Sequence, residues 1–347
     1  MEYATLREML MSLCQLPGPS GFERSVALQA AELLRPLVDE VKIDRMSNVI
    51  GVRHCGKSNA KRVLLDAHLD EIGLIVIGIE DGFLRFRTIG GVDPRMLPNR
   101  EVTIMTNPPL FGVVACLPPH VLQSGEADKS IAIPDLFIDI GLTQEQAEEM
   151  IPIGTPCVFR DACFELGKNQ MCGKSMDDRA CFVTLLRALQ LLQDKELDVD
   201  LYVVGSVREE VSYAGAATAA YAIAPDCCVA VDVTHGRTPD TPKDRTSEIG
   251  GGPAVGIGPN MTHWMTERML AKGREKNISL QYEVMAGATG TNGWEMQIAR
   301  EGIATSVISL PLKYMHSPVE TLDLSDMEAV ASLLAAFVEG VGEEALV

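Results

Sequence analysis

Leu201-Tyr-Val-Val-Gly-Ser-Val207 runs directly into Arg208-Glu209-Glu210. An apolar run of this length that ends abruptly in charge predicts a strand buried on both faces, its end opening onto a polar site. Cys227 to Val233 and Ile303 to Leu310 have the same texture, and Asp178 to Gln193 has the periodicity of a strong amphipathic helix. Doubly buried strands separated by helices predict an α/β fold. Val49-Ile-Gly-Val52 and Arg62 to Ala67 add two strands, read as neighbours joined by a polar stretch. An opening helix stops at Pro17-Gly-Pro19, and Ser20-Gly-Phe-Glu23 has capping-box spacing for a second, with Val26, Leu28, Ala31, Leu33, Leu34 and Leu37 as its stripe. Ser325-Asp-Met-Glu328 predicts the same cap before a C-terminal helix through Val338.

Between Ile72 and Phe159 the texture changes to short β-like pieces broken by Gly and Pro: Gly73 to Ile79, Phe83 to Thr88, Glu101 to Met105, Phe111 to Cys116 and Phe137 to Ile140. Pro118-Pro119 and Gln123 to Ser130 predict a long loop. This reads as a small β-rich domain, residues 71–159, inserted into a larger discontinuous one, residues 1–70 and 160–347. At about 150 residues per domain, 347 residues also suggest two domains, and 46% hydrophobic residues suffice for a sizeable core.

Charge excludes one class of partner. With 30 Lys+Arg against 48 Asp+Glu the net charge is −18, so no nucleic acid is expected to bind, because neutralising phosphates needs clustered cations. The first 16 residues carry Glu2, Arg7 and Glu8 and do not read as a signal peptide, and no apolar run approaches the ~20 residues that span a bilayer. A cytoplasmic protein with no membrane partner is the expectation. The nine cysteines include no CxxC pair and read as buried thiols.

Gly51 to Ser58 satisfies the phosphate-loop pattern, yet Val63 begins a strand where that motif needs a helix, so the stretch reads as a polar hairpin loop. The Gly250-Gly-Gly252 run reads as a flexible turn. Chemistry concentrates instead at strand ends, where open α/β sheets place ligand sites. His68 and Asp70 follow the strand from Arg62, and Asp70 can orient the imidazole. Asp177 and Asp178 precede the long helix as ligands or caps. Glu209 and Glu210 suit a division of labour in which one carboxylate coordinates metal and the other takes a proton. Asp232 lies inside an apolar strand, where a charge must be paired or coordinated, and His316 follows another strand as ligand or core residue. Two imidazoles with several carboxylates suit zinc or cobalt better than calcium or magnesium, and a dinuclear site is plausible.

Together, His68-Leu-Asp70-Glu71-Ile-Gly, Gly173-Lys-Ser-Met-Asp177-Asp178-Arg179, Glu209-Glu210-Val, Val231-Asp232-Val-Thr and Tyr314-Met-His316-Ser-Pro-Val-Glu320 resemble the tetrahedral aminopeptidases, co-catalytic metallopeptidases also called deblocking or glutamyl aminopeptidases and sometimes labelled endoglucanases. The resemblance extends from Pro17 to the C-terminal helix. It implies a zinc-peptidase mixed sheet sandwiched by helices, an inserted β-rich dimerisation domain, and dimers assembling into a homo-oligomeric dodecamer. It implies two divalent ions, zinc or cobalt, bridged by Asp177, with His68 and Asp232 completing one and Glu210 and His316 the other. Asp70 is then the residue orienting His68 and Glu209 the general base. The implied reaction is release of the N-terminal residue of short peptides by a metal-bridging hydroxide, Glu209 passing the water proton to the leaving amine.

Arg208, Ser212, Tyr213 and Asn292 depart from the family pattern, Asn292 replacing a frequent Asp. A weakened preference for basic N-terminal residues is the resulting expectation. Hydrolysis of N-acyl or other amides by the same metals is the rival activity. A metal-free glycoside hydrolase using paired carboxylates and a non-catalytic oligomeric binding protein are the other two.

Overall fold

A computed structural model describes residues 5–121, 131–239 and 241–342. The Gln123–Ser130 loop expectation lies outside these residues. An eight-stranded sheet has the order Glu40–Ile43, Val49–Arg53, Asp200–Ser206, Arg62–His68, Cys227–His235, Ala304–Leu312, Ala254–Ile257, Gln281–Val284. The four strands from Asp200–Ser206 to Ala304–Leu312 run parallel, so their C-terminal ends share one edge.

These central strands are mostly apolar because both faces are covered, and the polar residues they bury include Asp66, His68 and Asp232. Val63, Leu65 and Ala67 pack toward the helices Leu6–Cys14, Arg24–Leu34, Met176–Leu192 and Leu324–Gly340. Leu64, one residue out of phase, joins Val204 and Cys228 against the helix Ala214–Ile223 on the other face. The period of two therefore carries Asp66 and His68 to that second face. Gly205 permits close approach: a Cβ there would lie 2.7 Å from Leu69 Cδ1 and 2.8 Å from Phe182 Cε2. Gly205→Ala is expected to destabilise the fold by about 1–3 kcal/mol through overpacking, measurable as a lower urea midpoint at unchanged slope.

Gly73 to Phe159 form a closed six-stranded barrel around a separate core of Leu74, Val76, Phe86, Val102, Ile104 and Ile138. It also holds a helix, Gln144–Met150, capped by Thr143. A three-stranded sheet, Phe164–Leu166, Gln170–Gly173 and Glu320–Asp323, follows beneath the helix Met176–Leu192. Among the described residues no helix is long and apolar enough to cross a membrane.

Several local expectations are corrected. Val49–Arg53 and Arg62–His68 are not neighbours, because Asp200–Ser206 lies between them, pairing antiparallel with one and parallel with the other. Residues 54–61 are thus a crossover, not a hairpin. Ser20 does not cap the second helix; its hydroxyl donates to Asp70 Oδ2 at 2.6 Å, and Glu23 occupies the cap position without a side-chain cap bond. Leu28 is 51% exposed and falls outside that helix's buried stripe. The C-terminal helix is capped by Asp323, which accepts from Ser325 N, while Glu328 pairs with Arg187. The Gly250–Gly252 turn is pinned, its first and last amides donating to the Asp326 carboxylate.

Candidate metal centre

The shared edge of the parallel strands gathers all the residues singled out from sequence. His68 ends one strand, Glu209 and Glu210 follow the next, Asp232 lies near the end of a third, and His316 follows a fourth. Asp177 enters from the start of the long helix, where Asp177 and Asp178 have non-helical backbone and are joined by a cis peptide bond. Asp177 stands between the imidazoles, Oδ1 at 3.1 Å from His68 Nε2 and Oδ2 at 3.3 Å from His316 Nε2. His316 Nε2 is also 3.3 Å from Glu210 Oε2, and His68 Nε2 is 3.7 Å from Glu209 Oε2. Asp232 falls within ligand reach of both His68 with Glu209 and Asp177 with Asp178, the donor atoms of each group lying within 4.8 Å of one another.

Each imidazole is aimed by its other nitrogen. His68 Nδ1 lies 3.1 Å from the Asp70 carbonyl and 3.5 Å from its Oδ1, and His316 Nδ1 lies 2.8 Å from the Gly91 carbonyl. Such contacts fix the tautomer that presents Nε2 inward. Asp70 does more than orient His68: its carboxylate accepts from Glu209 N at 3.1 Å, Glu210 N at 3.2 Å and the Ser20 hydroxyl. Arg208, Tyr213, Tyr314 and His316 all have positive φ, a strained conformation that side-chain-bearing residues adopt where the surroundings enforce it.

The electrostatics call for a cation. Burial, reinforced by Asp232, Glu210 and Asp177 and opposed by His68, pushes Glu209 up to about 10. Burial first, then Asp177, raises Glu210 well above the carboxylate range, and burial raises Asp232 to about 7. Burial opposes protonation of His68, but Glu209, Asp177 and Asp70 outweigh it and raise its pKa. Against the upward pull of burial, His316 and His68 hold Asp177 low. Asp178 Oδ1 is buried without a hydrogen-bond partner, while Oδ2 accepts from His68 N at 3.1 Å. Burying this many carboxylates around two imidazoles is costly unless positive charge offsets it, and the nitrogen and oxygen donors can hold a metal ion.

Asp178, read from sequence as a ligand or a cap, accepts from His68 N and makes no cap bond. Sequence reasoning gave no separate role to Glu71 or Asp66. Glu71, buried beside Asp70, binds Lys174, Ser175, Arg179 and the Gly18 amide, anchoring the loop that leads to Asp177. Its signal was an acid in a buried strand end with Lys174 and Arg179 flanking the aspartates. Asn292 is 2% exposed and gives its amide to Asp66 Oδ2 at 2.7 Å and Ser206 Oγ at 2.9 Å. A buried carboxylate, Asp66, thus stands beside the neutral residue.

A family model described as M42 glutamyl aminopeptidase matches residues 47–333. The lysyl aminopeptidase of Pyrococcus furiosus is 36% identical over 338 residues, covering 96% of each chain. Aminopeptidase APDkam598 from the archaeon Desulfurococcus kamchatkensis superposes with a TM-score of 0.91 at 37% identity, over 98% of this chain and 96% of that one. The TET1 peptidase of Pyrococcus horikoshii, which can assemble into a tetrahedron or a large octahedral shell, gives a TM-score of 0.84 at 31% identity, over 97% and 100% of the two chains. Agreement in sequence and fold along nearly the whole length makes this chain a member of the M42 glutamyl aminopeptidase family, a peptide hydrolase of the metallopeptidase class.

Proposed function

We propose that the chain is a two-metal aminopeptidase that removes the N-terminal residue of short peptides, with zinc or cobalt held by His68 and Asp232 on one side, Glu210 and His316 on the other, and Asp177 shared. The supporting observation is that the two oxygens of Asp177 face two different imidazoles at 3.1 and 3.3 Å. Bound divalent ions would polarise the scissile carbonyl and make water acidic enough to attack it near neutral pH. Glu209 acts as general base through Oε2, taking a proton from the attacking water and delivering it to the leaving amine nitrogen. Asp70 sets His68 and, through the Glu209 and Glu210 amides, the direction of both glutamates. The barrel at residues 71–159 is the oligomerisation element of a cytoplasmic homo-oligomer, dimers building a dodecamer.

The proposed reaction favours a substrate with a free terminal amine, which can donate hydrogen bonds to carboxylate oxygens of the site that no metal engages. Acetylation turns that amine into an amide with a single N–H and adds an acyl group beside the residue to be released. Matched free and N-acetylated tripeptides are therefore expected to differ in kcat/KM by on the order of 10²-fold or more in favour of the free amine, read by chromatography of the products. Faster cleavage of the acetylated series would establish an N-acyl hydrolase instead.

A further inference from the structure

We infer that Glu320 is a positioning residue that sets both Asp177 and His316, and so governs occupancy of the metal site to which His316 contributes; this rests on the two-metal reading. Glu320 Oε2 accepts from Met176 N at 2.7 Å and Asp177 N at 3.1 Å, and Oε1 accepts from His316 N at 3.0 Å. One carboxylate thus holds two loops that are distant in sequence.

The surrounding backbone fixes the carboxylate in turn. Glu320 opens the strand Glu320–Asp323, which pairs antiparallel with Gln170–Gly173, placing Gly173 opposite Glu320 just before the Asp177 loop. Lys313 and Thr321 exchange both backbone hydrogen bonds, closing a hairpin whose tip carries Tyr314 and His316 at positive φ. Positive φ at such residues needs enforcement, and the Glu320 oxygen on His316 N supplies it.

Glu320 is 2% exposed and meets no Lys or Arg among the described residues; its carboxylate accepts from three backbone amides. A buried carboxylate satisfied only by amides is an expensive way to fill space, since an apolar side chain of similar size packs there without desolvating a charge. Its distinguishing property is two acceptor oxygens on one rigid plane. Gln keeps the shape but presents an N–H group to backbone donors on one side.

The test uses full-length, metal-stripped protein and Glu320→Gln, with zinc titrated calorimetrically and thermal melting followed before and after loading. The wild type is expected to bind two ions, and Glu320→Gln to weaken binding about 10- to 100-fold, most at the site to which His316 contributes and less at the other through Asp177, beyond what any fall in the metal-free melting temperature accounts for. Glu320→Asp, which restores two oxygens on a shorter arm, is expected to recover part of the lost affinity. Equal affinities in wild type and Glu320→Gln overturn the inference. So does a fall in metal-free stability with both affinities intact, which assigns Glu320 a purely structural role. If Glu320→Gln fails to fold, Glu320→Asp carries the same comparison. A wild type that binds no second ion overturns the two-metal reading itself, a result separable from the others.

Discussion

Glu209→Gln is expected to lower kcat by about 10²- to 10⁴-fold while the protein retains its bound metal. Gln preserves the volume and planarity of a side chain that is 8% exposed, and the backbone bond from residue 209 to Asp70 Oδ1 does not depend on the side chain. What disappears is the ability to hold a proton and release it to the amine nitrogen. Metal content separates this role from another that the geometry permits, because Glu209, His68 and Asp232 also form a group close enough to share an ion. Loss of one ion in Glu209→Gln would make Glu209 a ligand. Near-normal turnover with metal intact would remove it from the proton path.

The α/β frame was legible because strands covered on both faces must be largely apolar, and Leu201 to Val207, Cys227 to Val233 and Ile303 to Leu310 are, with Asp232 the one charge among them. Sheet order was not. Asp200–Ser206 enters between Val49–Arg53 and Arg62–His68 from far along the chain, and no local pattern records such pairing. The β pieces between Gly73 and Phe159 were readable from alternation and turns, whereas their closure into a barrel depends on the pairing of Gly73–Glu80 with Pro156–Phe159, again distant in sequence. Caps failed for a related reason. Ser20 has the right spacing, but the helix begins at Arg24 with Glu23 at its cap position, and the Ser20 hydroxyl instead donates to the buried Asp70 carboxylate, a charged acceptor.

The candidate site was readable where a charge sits in an apolar strand, as with Asp232, or directly ends one, as with His68 and Glu209. Residues that act through backbone amides left weaker traces. Glu320 and Asp178 resemble ordinary turn or cap acids until the fold brings His316, Asp177 and His68 to them. Asn292 was singled out from sequence as a neutral residue, but its neighbour Asp66, pushed up to about 7 first by burial, was hidden within the strand Arg62–His68.

Removing metal is expected to abolish peptide hydrolysis, because the scissile carbonyl then lacks a divalent ion to polarise it and the attacking water lacks the charge that makes it acidic. The loss should be at least about 10³-fold, since carbonyl polarisation and water activation are each worth several kcal/mol. The buried carboxylates then keep their upward-shifted pKa values and part of their protons, so restoring the ions should release protons as well as activity. The decisive measurement is therefore hydrolysis of a panel of aminoacyl-arylamides and short peptides by stripped protein, before and after stoichiometric zinc or cobalt. The account predicts silence first and, with two ions per chain, stepwise release of N-terminal residues afterwards. Full activity in the stripped protein, or two bound ions with no release from any free-amine substrate, would contradict it.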